Sequence, residues 1–342
     1  YDKRRNIFSY FNGYDYRMVD EVDEEKIRLF LNHVKEVIAN NNELVYEYII
    51  NWYAFIIQNF DGKTETAIVI TGKQGTGKNV FTNVLCQLMN RYANKNVSNI
   101  DNIVGKFNAV LENMKLIVCN ELSSAESNKF LNSDALKTVI SDSQIDINQK
   151  NLPVRSIQNV VNLILVSNNF APVNIEEDDR RYVVSECNDK YKGDFEYFNR
   201  LVKSFEEDGF YENLLTFFMK RDISKFNPRI IPLTKIKKEI CNSKKSCYRL
   251  FIEEYIENLK DFRGWNCVET YEYYVEYAKK NGFKICASNV FGSKIREYVE
   301  RKRVRFNGKL EWRYIIKDDV KIDVVDDDKV DIDLDEIEDV HI

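Results

Sequence analysis

The sequence predicts an α/β protein, with a largely parallel sheet covered by helices and a smaller C-terminal domain of three helices and a hairpin. Three observations carry this prediction. The apolar run 67–70 enters the glycine-rich stretch Gly72-Lys73-Gln74-Gly75-Thr76-Gly77-Lys78-Asn79, which opens directly into a helical pattern. Further short apolar runs then alternate with helical segments, the rhythm of βαβ units. Near the C-terminus Asn307-Gly308 separates two strand patterns, the strongest short signal for a hairpin.

Taken in order, residues 24–40 place Ile27, Phe30, Leu31, Val34, Val37 and Ile38 at helical spacing, and residues 44–59 are apolar almost all round, with Tyr48, Trp52, Phe55 and Ile56 prominent. Two packed helices therefore precede the strand at 67–70. After the glycine-rich loop come a helix over about 78–92, a strand at 115–119, a helix near 133–140 and a strand at 160–166. Two of the four prolines, Pro228 and Pro232, fall together where this pattern ends, in a stretch carrying Lys235, Lys237, Lys238, Lys244 and Lys245. A basic linker is expected there, over 226–247. Beyond it the spacing predicts helices over 248–260 and 268–280, a third helix from Ser288 as N-cap to about Lys302, and strands at 304–306 and 310–316. Three helices followed by a hairpin is the order of a winged helix.

A chain of 342 residues with 44% hydrophobic residues buries a sizeable core and, at roughly 150 residues per domain, suggests about two domains. Its net charge of −5 is misleading: residues 317–342 hold twelve Asp/Glu against three Lys, leaving 47 Lys/Arg against 43 Asp/Glu in residues 1–316. The acidic tail, 318–342, reads as solvated and disordered, although Val330, Ile332 and Leu334 alternate as a docking strand would. Seven cysteines without a CxxC pair point to an intracellular, reducing compartment. With His33 and His341 alone, zinc clusters and histidine triads are excluded, leaving a hard cation as the metal, and no apolar run reaches the ~20 residues a membrane span needs. The chain opens on Tyr1 rather than Met, so a stretch excised from something longer is expected.

A loop that binds phosphates needs glycines where backbone N–H groups close around oxygens, a lysine for the β and γ phosphates, and a helix N-terminus whose dipole favours negative charge. Gly72, Lys73, Gln74, Gly75, Thr76, Gly77 and Lys78 meet those needs, between a strand and a helix, and predict a bound nucleoside triphosphate, ATP with Mg²⁺. Asn79 departs from the pattern, which asks for Ser or Thr as a magnesium ligand; its amide oxygen can still reach the metal directly or through water. The strand at 115–119 runs into Asn120-Glu121, the second site expected to organise Mg²⁺ and activate water, with Glu121 the expected base and Asn120 where an Asp is common. A buried strand that simply ends in polar residues would look the same. Asn168, after the strand at 160–166, can orient the attacking water, or belongs to a turn with Asn169. Arg180 and Arg181 suit a transition-state phosphate supplied across a subunit boundary, or form a surface salt-bridge cluster.

Set in order, GKQGTGKN, then LIVCNE, then LKTVISDSQIDINQKNLPVRSIQNVVNLILVSNN, then EEDDRRYVV, these segments resemble the superfamily 3 helicases of DNA viruses, phages and mobile elements, especially a primase-helicase branch similar to the poxvirus-type enzyme. The match spans roughly residues 20–200. The resemblance implies an N-terminal helical collar (1–60), an AAA+ P-loop ATPase core (61–225) and, C-terminal to the linker, a winged-helix domain (248–317). It implies Lys78 and Asn79 in Walker A, Glu121 in Walker B, Asn168 as sensor, and Arg180 or Arg181 as arginine finger. It also implies a channel hairpin whose lysine is best matched by Lys150, within 146–155. There the residues agree, because a polar segment containing Pro153 between strands makes a plausible hairpin with Lys150 and Arg155 facing phosphates, though a solvated loop would read alike. A homohexameric ring moving on single-stranded DNA, with a primase domain or protein upstream, completes what the family implies.

The expected function is therefore an ATP-dependent replicative DNA helicase acting at a fork, in the host cytoplasm or at a viral replication site. Lys294, Arg296, Arg301, Lys302 and Arg305 of the C-terminal domain would touch duplex DNA, unless they only solvate a helix face. Two other functions fit the same motifs: an initiator or loader ATPase that remodels origin DNA, and a nucleotide-gated DNA-binding scaffold with little hydrolysis, which the two asparagines at the metal site would favour.

Overall fold

The computed structural model describes residues 11–120, 129–173, 175–176, 178–242, 246–259, 264–306 and 308–317, with backbone alone at 96, 129–133 and 256–259. Glu121, Lys244, Lys245, Asn307 and the acidic tail 318–342 lie outside the described residues. The chain divides into two compact units, Tyr1–Cys241 and Asn242–Ile342.

In the first unit, α1 (Glu24–His33) starts at Asp23, whose carboxylate accepts the Glu25 N–H, with Glu24 and Glu25 against the positive end of the dipole. It runs on through a π-helical turn, Val34–Ile38, and stops where Asn40 and Asn41 take left-handed backbone angles. Asn42 caps α2 (Glu43–Gln58), which buries a wide face that includes Tyr48, Ile49, Trp52, Tyr53 and Ile56, and leaves Leu44, Glu47 and Asn51 on the less buried side. Then come β1 (Ala67–Thr71), α3 (Lys78–Met89), β2 (Ala93–Val97), the single turn α4 (Asp101–Val104), β3 (Leu116–Asn120) and α5 (Lys129–Ser141). A hairpin follows, β4 (Gln144–Ile147) and β5 (Arg155–Gln158), and after it β6 (Asn162–Val166), β7 (Tyr182–Glu186), α6 (Phe195–Phe205), α7 (Phe210–Lys220) and α8 (Lys235–Asn242).

Five strands form one parallel sheet in the order β2-β3-β6-β1-β7. The period of two sends alternate residues to opposite faces. Ile68, Ile70, Val118, Ile164 and Val183 join the core of α1, α2, α3 and α7, while Val69, Cys119, Leu163, Leu165 and Val184 join the core of α5, the hairpin and α8. Burial on both faces explains why β1 and β6 read as unbroken apolar runs. The strands β1, β3, β6 and β7 all end at the same edge, with the glycine-rich loop, Asn120, Ser167-Asn168 and Glu186 there together. In open α/β sheets that edge is where ligands bind.

The second unit contains α9 (Cys247–Leu259), β8 (Trp265–Asn266), α10 (Cys267–Lys280), α11 (Ser288–Lys294), β9 (Val299–Phe306) and β10 (Lys309–Ile316). Its antiparallel sheet has the order β8-β10-β9. Phe251, Ile252, Tyr274, Ala278, Phe291, Ile295, Val299 and Tyr314 form a core of its own.

Two expectations need correcting. The stretch 226–247 is not simply a linker: Ile236 and Ile240, one helical turn apart, anchor α8 in the core of the first unit, and buried Lys237 donates to the Asp179 carbonyl at 2.7 Å. The third helix of the C-terminal domain ends at Lys294 and a 3₁₀ turn, Ile295–Glu297, rather than near Lys302, because residues from Val299 onward pair with β10 in continuous register. Among the described residues no helix is long and apolar enough to cross a membrane.

Candidate functional site

The site is built at the C-terminal edge of the sheet, where β1 gives way to α3. Gly72 leaves the strand at φ +135°, and a Cβ there would lie 3.1–3.3 Å from Cys187, the residue that follows the neighbouring strand β7. Gly77, at φ +92°, is tighter still, because a Cβ would fall 2.5 Å from the His33 ring and 2.8 Å from Phe198. The loop is held from within: Thr76 Oγ1 donates to the Lys73 carbonyl at 3.0 Å, and Lys78 Nζ donates to the carbonyls of Gly72 and Lys73, each at 2.7 Å. Lys78 is buried, and burial pulls its pKa below the ordinary lysine value. The ammonium is thus fixed on the floor of the loop at the first turn of α3.

The loop borders a cavity of about 660 Å³. Residues 74–80 line one side of it, Asn120 and residues 166–168 a second, and Lys192, Gly193, Phe195 and Phe198 a third. The structure therefore brings together Gln74, Gly75, Thr76, Gly77, Lys78, Asn79, Asn120 and Asn168 from three separate segments. Lys73, at the rim, forms an ion pair with Asp189 at 2.7 Å. Asn120 Nδ2 donates to the Lys95 carbonyl of β2 at 2.9 Å, while its Oδ1 is buried and accepts no hydrogen bond from the described residues. Asn168 is exposed beside a local turn in which the Asn169 N–H donates to Ser167 Oγ at 3.0 Å.

Other expected residues lie apart from the cavity. Arg181 is tied within its own chain, its Nε donating to Ser141 Oγ at 2.8 Å and its backbone N–H to Asp179 Oδ1 at 2.7 Å, whereas Arg180 is exposed. Lys150 is exposed in the connection between β4 and β5. Arg155 at the base of that hairpin is ion-paired with Glu112. Lys294, Arg296, Arg301, Lys302 and Arg305 are exposed in the second unit, with Lys302 paired to Glu300.

His33 is a site neighbour that the motifs do not announce. Its Nδ1 meets the Tyr197 hydroxyl at 3.0 Å and its Nε2 the Gly77 carbonyl at 3.3 Å, linking α1 and α6 to the loop. Burial lowers its pKa to about 4, so the ring is neutral at pH 7. The signal for it was helical spacing, since His33 follows Phe30 by three residues on the buried face of α1. The segment 192–198 also escaped the motif search. Asp194 caps α6 by accepting the Tyr197 N–H at 2.9 Å, and the next residue, Phe195, stands 81% exposed at the cavity.

Chemically the cavity offers donors suited to an anion, and an aromatic side. Backbone N–H groups at the start of α3, the Lys78 ammonium and the helix dipole suit phosphate oxygens. Among the described residues no three His, Cys, Asp or Glu side chains gather as metal ligands. The orphaned Asn120 Oδ1 and the nearby Asn79 amide are hard oxygen donors, a set that fits a magnesium ion held mainly by phosphates and water.

Residues 70–181, which include the loop, β3, the hairpin and the two arginines, match the model of DUF5906, a family of unknown function. Over 144 residues the chain is 38% identical to the DNA primase-polymerase of Nitratiruptor phage NrS-1. That match spans 42% of this chain and a fifth of the relative's length. Among solved structures, the apo C-terminal region of NrS-1 superposes with a TM-score of 0.65 at 23% identity, covering 89% of this chain and 78% of that one. A second structure of that region gives 0.62 at 22%, covering 89% and 77%. The chain is thus homologous in part to a phage primase-polymerase and shares the fold of its C-terminal region. This overturns the replicative helicase expected from the motif order, together with the initiator and scaffold alternatives: the relative is named for DNA priming and polymerisation, not for unwinding.

Proposed function

We propose that the chain is a nucleoside-triphosphate-hydrolysing module of a phage-type DNA replication protein, serving primer synthesis and extension in the host cytoplasm. The observation that carries this reading is the glycine loop itself, with Lys78 fixed on its floor, at the ligand-binding edge of a parallel sheet and beside a cavity that Asn120 and Asn168 share. In fold terms we assign the first unit to the P-loop ATPases of AAA+ type, with α1 and α2 as the collar, and the second to the winged helices. The motif order of superfamily 3 supports the architecture, and the phage relative supports the setting in DNA synthesis.

In this reading Lys78 exchanges its two carbonyl partners for β and γ phosphate oxygens of ATP, and the loop N–H groups donate to the remaining oxygens. Asn168 orients a water molecule whose oxygen attacks the γ phosphorus; its proton passes to Glu121, and the bond to the β–γ bridging oxygen breaks to leave ADP and phosphate. Magnesium, which Asn79 and Asn120 would help to hold, supplies charge neutralisation on the phosphates. Exposed Arg180 is the group we assign to the nucleotide of a neighbouring copy in a homohexamer. Lys150 and the basic residues of the second unit are assigned to DNA.

The test pairs ATP turnover with primer extension on a single-stranded template, for wild type and Lys78→Ala. We expect turnover to fall at least a hundredfold in the variant, equivalent to about 2.7 kcal/mol of transition-state stabilisation, and extension to fall with it. Turnover that is unchanged in Lys78→Ala, or absent from the wild type, refutes hydrolysis at this loop; extension that is indifferent to the substitution refutes the coupling to synthesis.

A further inference from the structure

The β9–β10 hairpin carries an exposed tryptophan, Trp312, that none of the preceding roles uses, beside arginines that the proposed function assigns to DNA only as basic residues. Residues directly opposite in an antiparallel pair share a face, so the register Arg301↔Tyr314, Arg303↔Trp312 and Arg305↔Leu310 sets three arginines beside a tyrosine, a tryptophan and a leucine. Tyr314, at 6% exposure, lies in the core of the unit. Two residues along the same face Trp312 is 47% exposed, and two further on Leu310 is 53% exposed. The apolar core therefore takes in Tyr314 and stops, and the rest of the hairpin face is open.

On that open face the Arg301 guanidinium lies 4.6 Å from the centroid of the Trp312 ring, and that of Arg303 lies 6.0 Å from it. The hairpin's acidic residues belong to the other face by alternation, where Glu300 pairs with Lys302 and Glu311 with Arg313. Charges on β9 alone would need no further explanation, since β9 is an edge strand and edges are blunted by charge. An exposed tryptophan on β10, the central strand, is not explained that way, and an apolar partner would leave three arginines without anionic company.

We propose that this face binds an unpaired nucleotide strand, with a base stacked on Trp312 and the adjoining phosphates on Arg301, Arg303 and Arg305. A flat indole with guanidiniums on it, on a positively charged surface, is the chemistry by which single strands are held without regard to sequence. A paired duplex offers no free base face for the ring. The site is independent of the glycine loop, and stands whether or not ATP is hydrolysed there.

The experiment is an anisotropy titration of the full chain with labelled dT15, rU15 and a blunt 15-base-pair duplex, for wild type, Trp312→Ala, Trp312→Phe and Arg303→Ala. We expect Trp312→Ala to bind dT15 about tenfold more weakly or worse and Trp312→Phe to keep most of the affinity. Arg303→Ala should flatten the salt dependence by about 0.7 in the log–log slope, and duplex binding should hardly change. Binding of both strands supports a surface indifferent to the sugar, and a preference for one names the strand. A dT15 affinity within twofold of wild type in Trp312→Ala, or an equal loss for the duplex, overturns the proposal. Tryptophan emission provides a second readout that does not rely on the alanine variant: dT15 should quench the wild type and not Trp312→Phe, and quenching that persists in Trp312→Phe overturns it too.

Discussion

Charging His33 should unlock the loop from behind, and the size of that effect follows from its surroundings. The ring is buried between the Tyr197 hydroxyl and the Gly77 carbonyl, and burial holds its pKa near 4 against an ordinary 6.5. In the unfolded chain the imidazole takes up a proton below about pH 6.5, whereas in the folded chain it does so only near pH 4. Each pH unit in that window therefore favours unfolding by about 1.4 kcal/mol, so between pH 7 and 4.5 the folded state should lose about 2.5 kcal/mol through this residue. Stability is retained above the window and lost as pH falls through it. Urea unfolding of wild type and His33→Gln at both pH values isolates the contribution, because groups other than His33 titrate in both proteins. The difference between the two proteins should shrink by about 2.5 kcal/mol, or reverse, on acidification. With only two histidines in the chain, the His33 resonance can also be titrated directly by NMR. A pKa at or above 6, or parallel pH profiles for the two proteins, would refute the reasoning.

Three further substitutions probe the loop and helix α8. Gly75 and Gly77 both have positive φ, but a Cβ meets nothing within 4 Å at Gly75 and collides with His33 and Phe198 at Gly77. Gly75→Ala should then cost about 1 kcal/mol from backbone strain alone, and Gly77→Ala at least 1–2 kcal/mol more, measured by thermal unfolding; equal losses would remove the role given to the His33–Phe198 contact. Ile240 on α8 is fully buried in the first unit, so Ile240→Ala should destabilise it by about 3 kcal/mol, whereas residues of a mere linker would tolerate the change.

How much of this was legible in the sequence depended on how each element is buried. Strands β1, β3 and β6 announce themselves because both faces are packed, which leaves four apolar residues in a row in each. Strand β2, Ala-Asn-Lys-Asn-Val at the sheet's edge, has no such run and was not anticipated; its main contribution to the site is one carbonyl, Lys95, that orients Asn120. Helix α8 was hidden by its lysines, since Lys237 buries an aliphatic stem and finds a carbonyl for its ammonium, so composition suggested solvent where packing prevails. The glycine loop was legible because its backbone angles leave no alternative to glycine at Gly72 and Gly77. Phe195 was not, because an exposed phenylalanine after a capping Asp carries no pattern. The order of motifs led to an expected helicase and the phage relative to DNA priming and polymerisation, which shows where residue chemistry stops: Lys78 and its loop suit phosphate oxygens, and nothing in them says what work a nucleotide there would drive.

The strand order has a consequence for how the protein comes into being. Strand β1 pairs with residues 163–166 on one side and 182–186 on the other, and not with β2, the next strand in sequence. At the ribosome, with synthesis at about 5–20 residues per second, even its first partner emerges roughly 5–19 seconds after β1 itself. For that interval one of the most apolar segments of the chain has no hydrogen-bonding partner, and such unpaired strands are what chaperones recognise and aggregates recruit. Production of this protein should therefore respond to slower translation, lower temperature and chaperone supply more than its final stability would suggest.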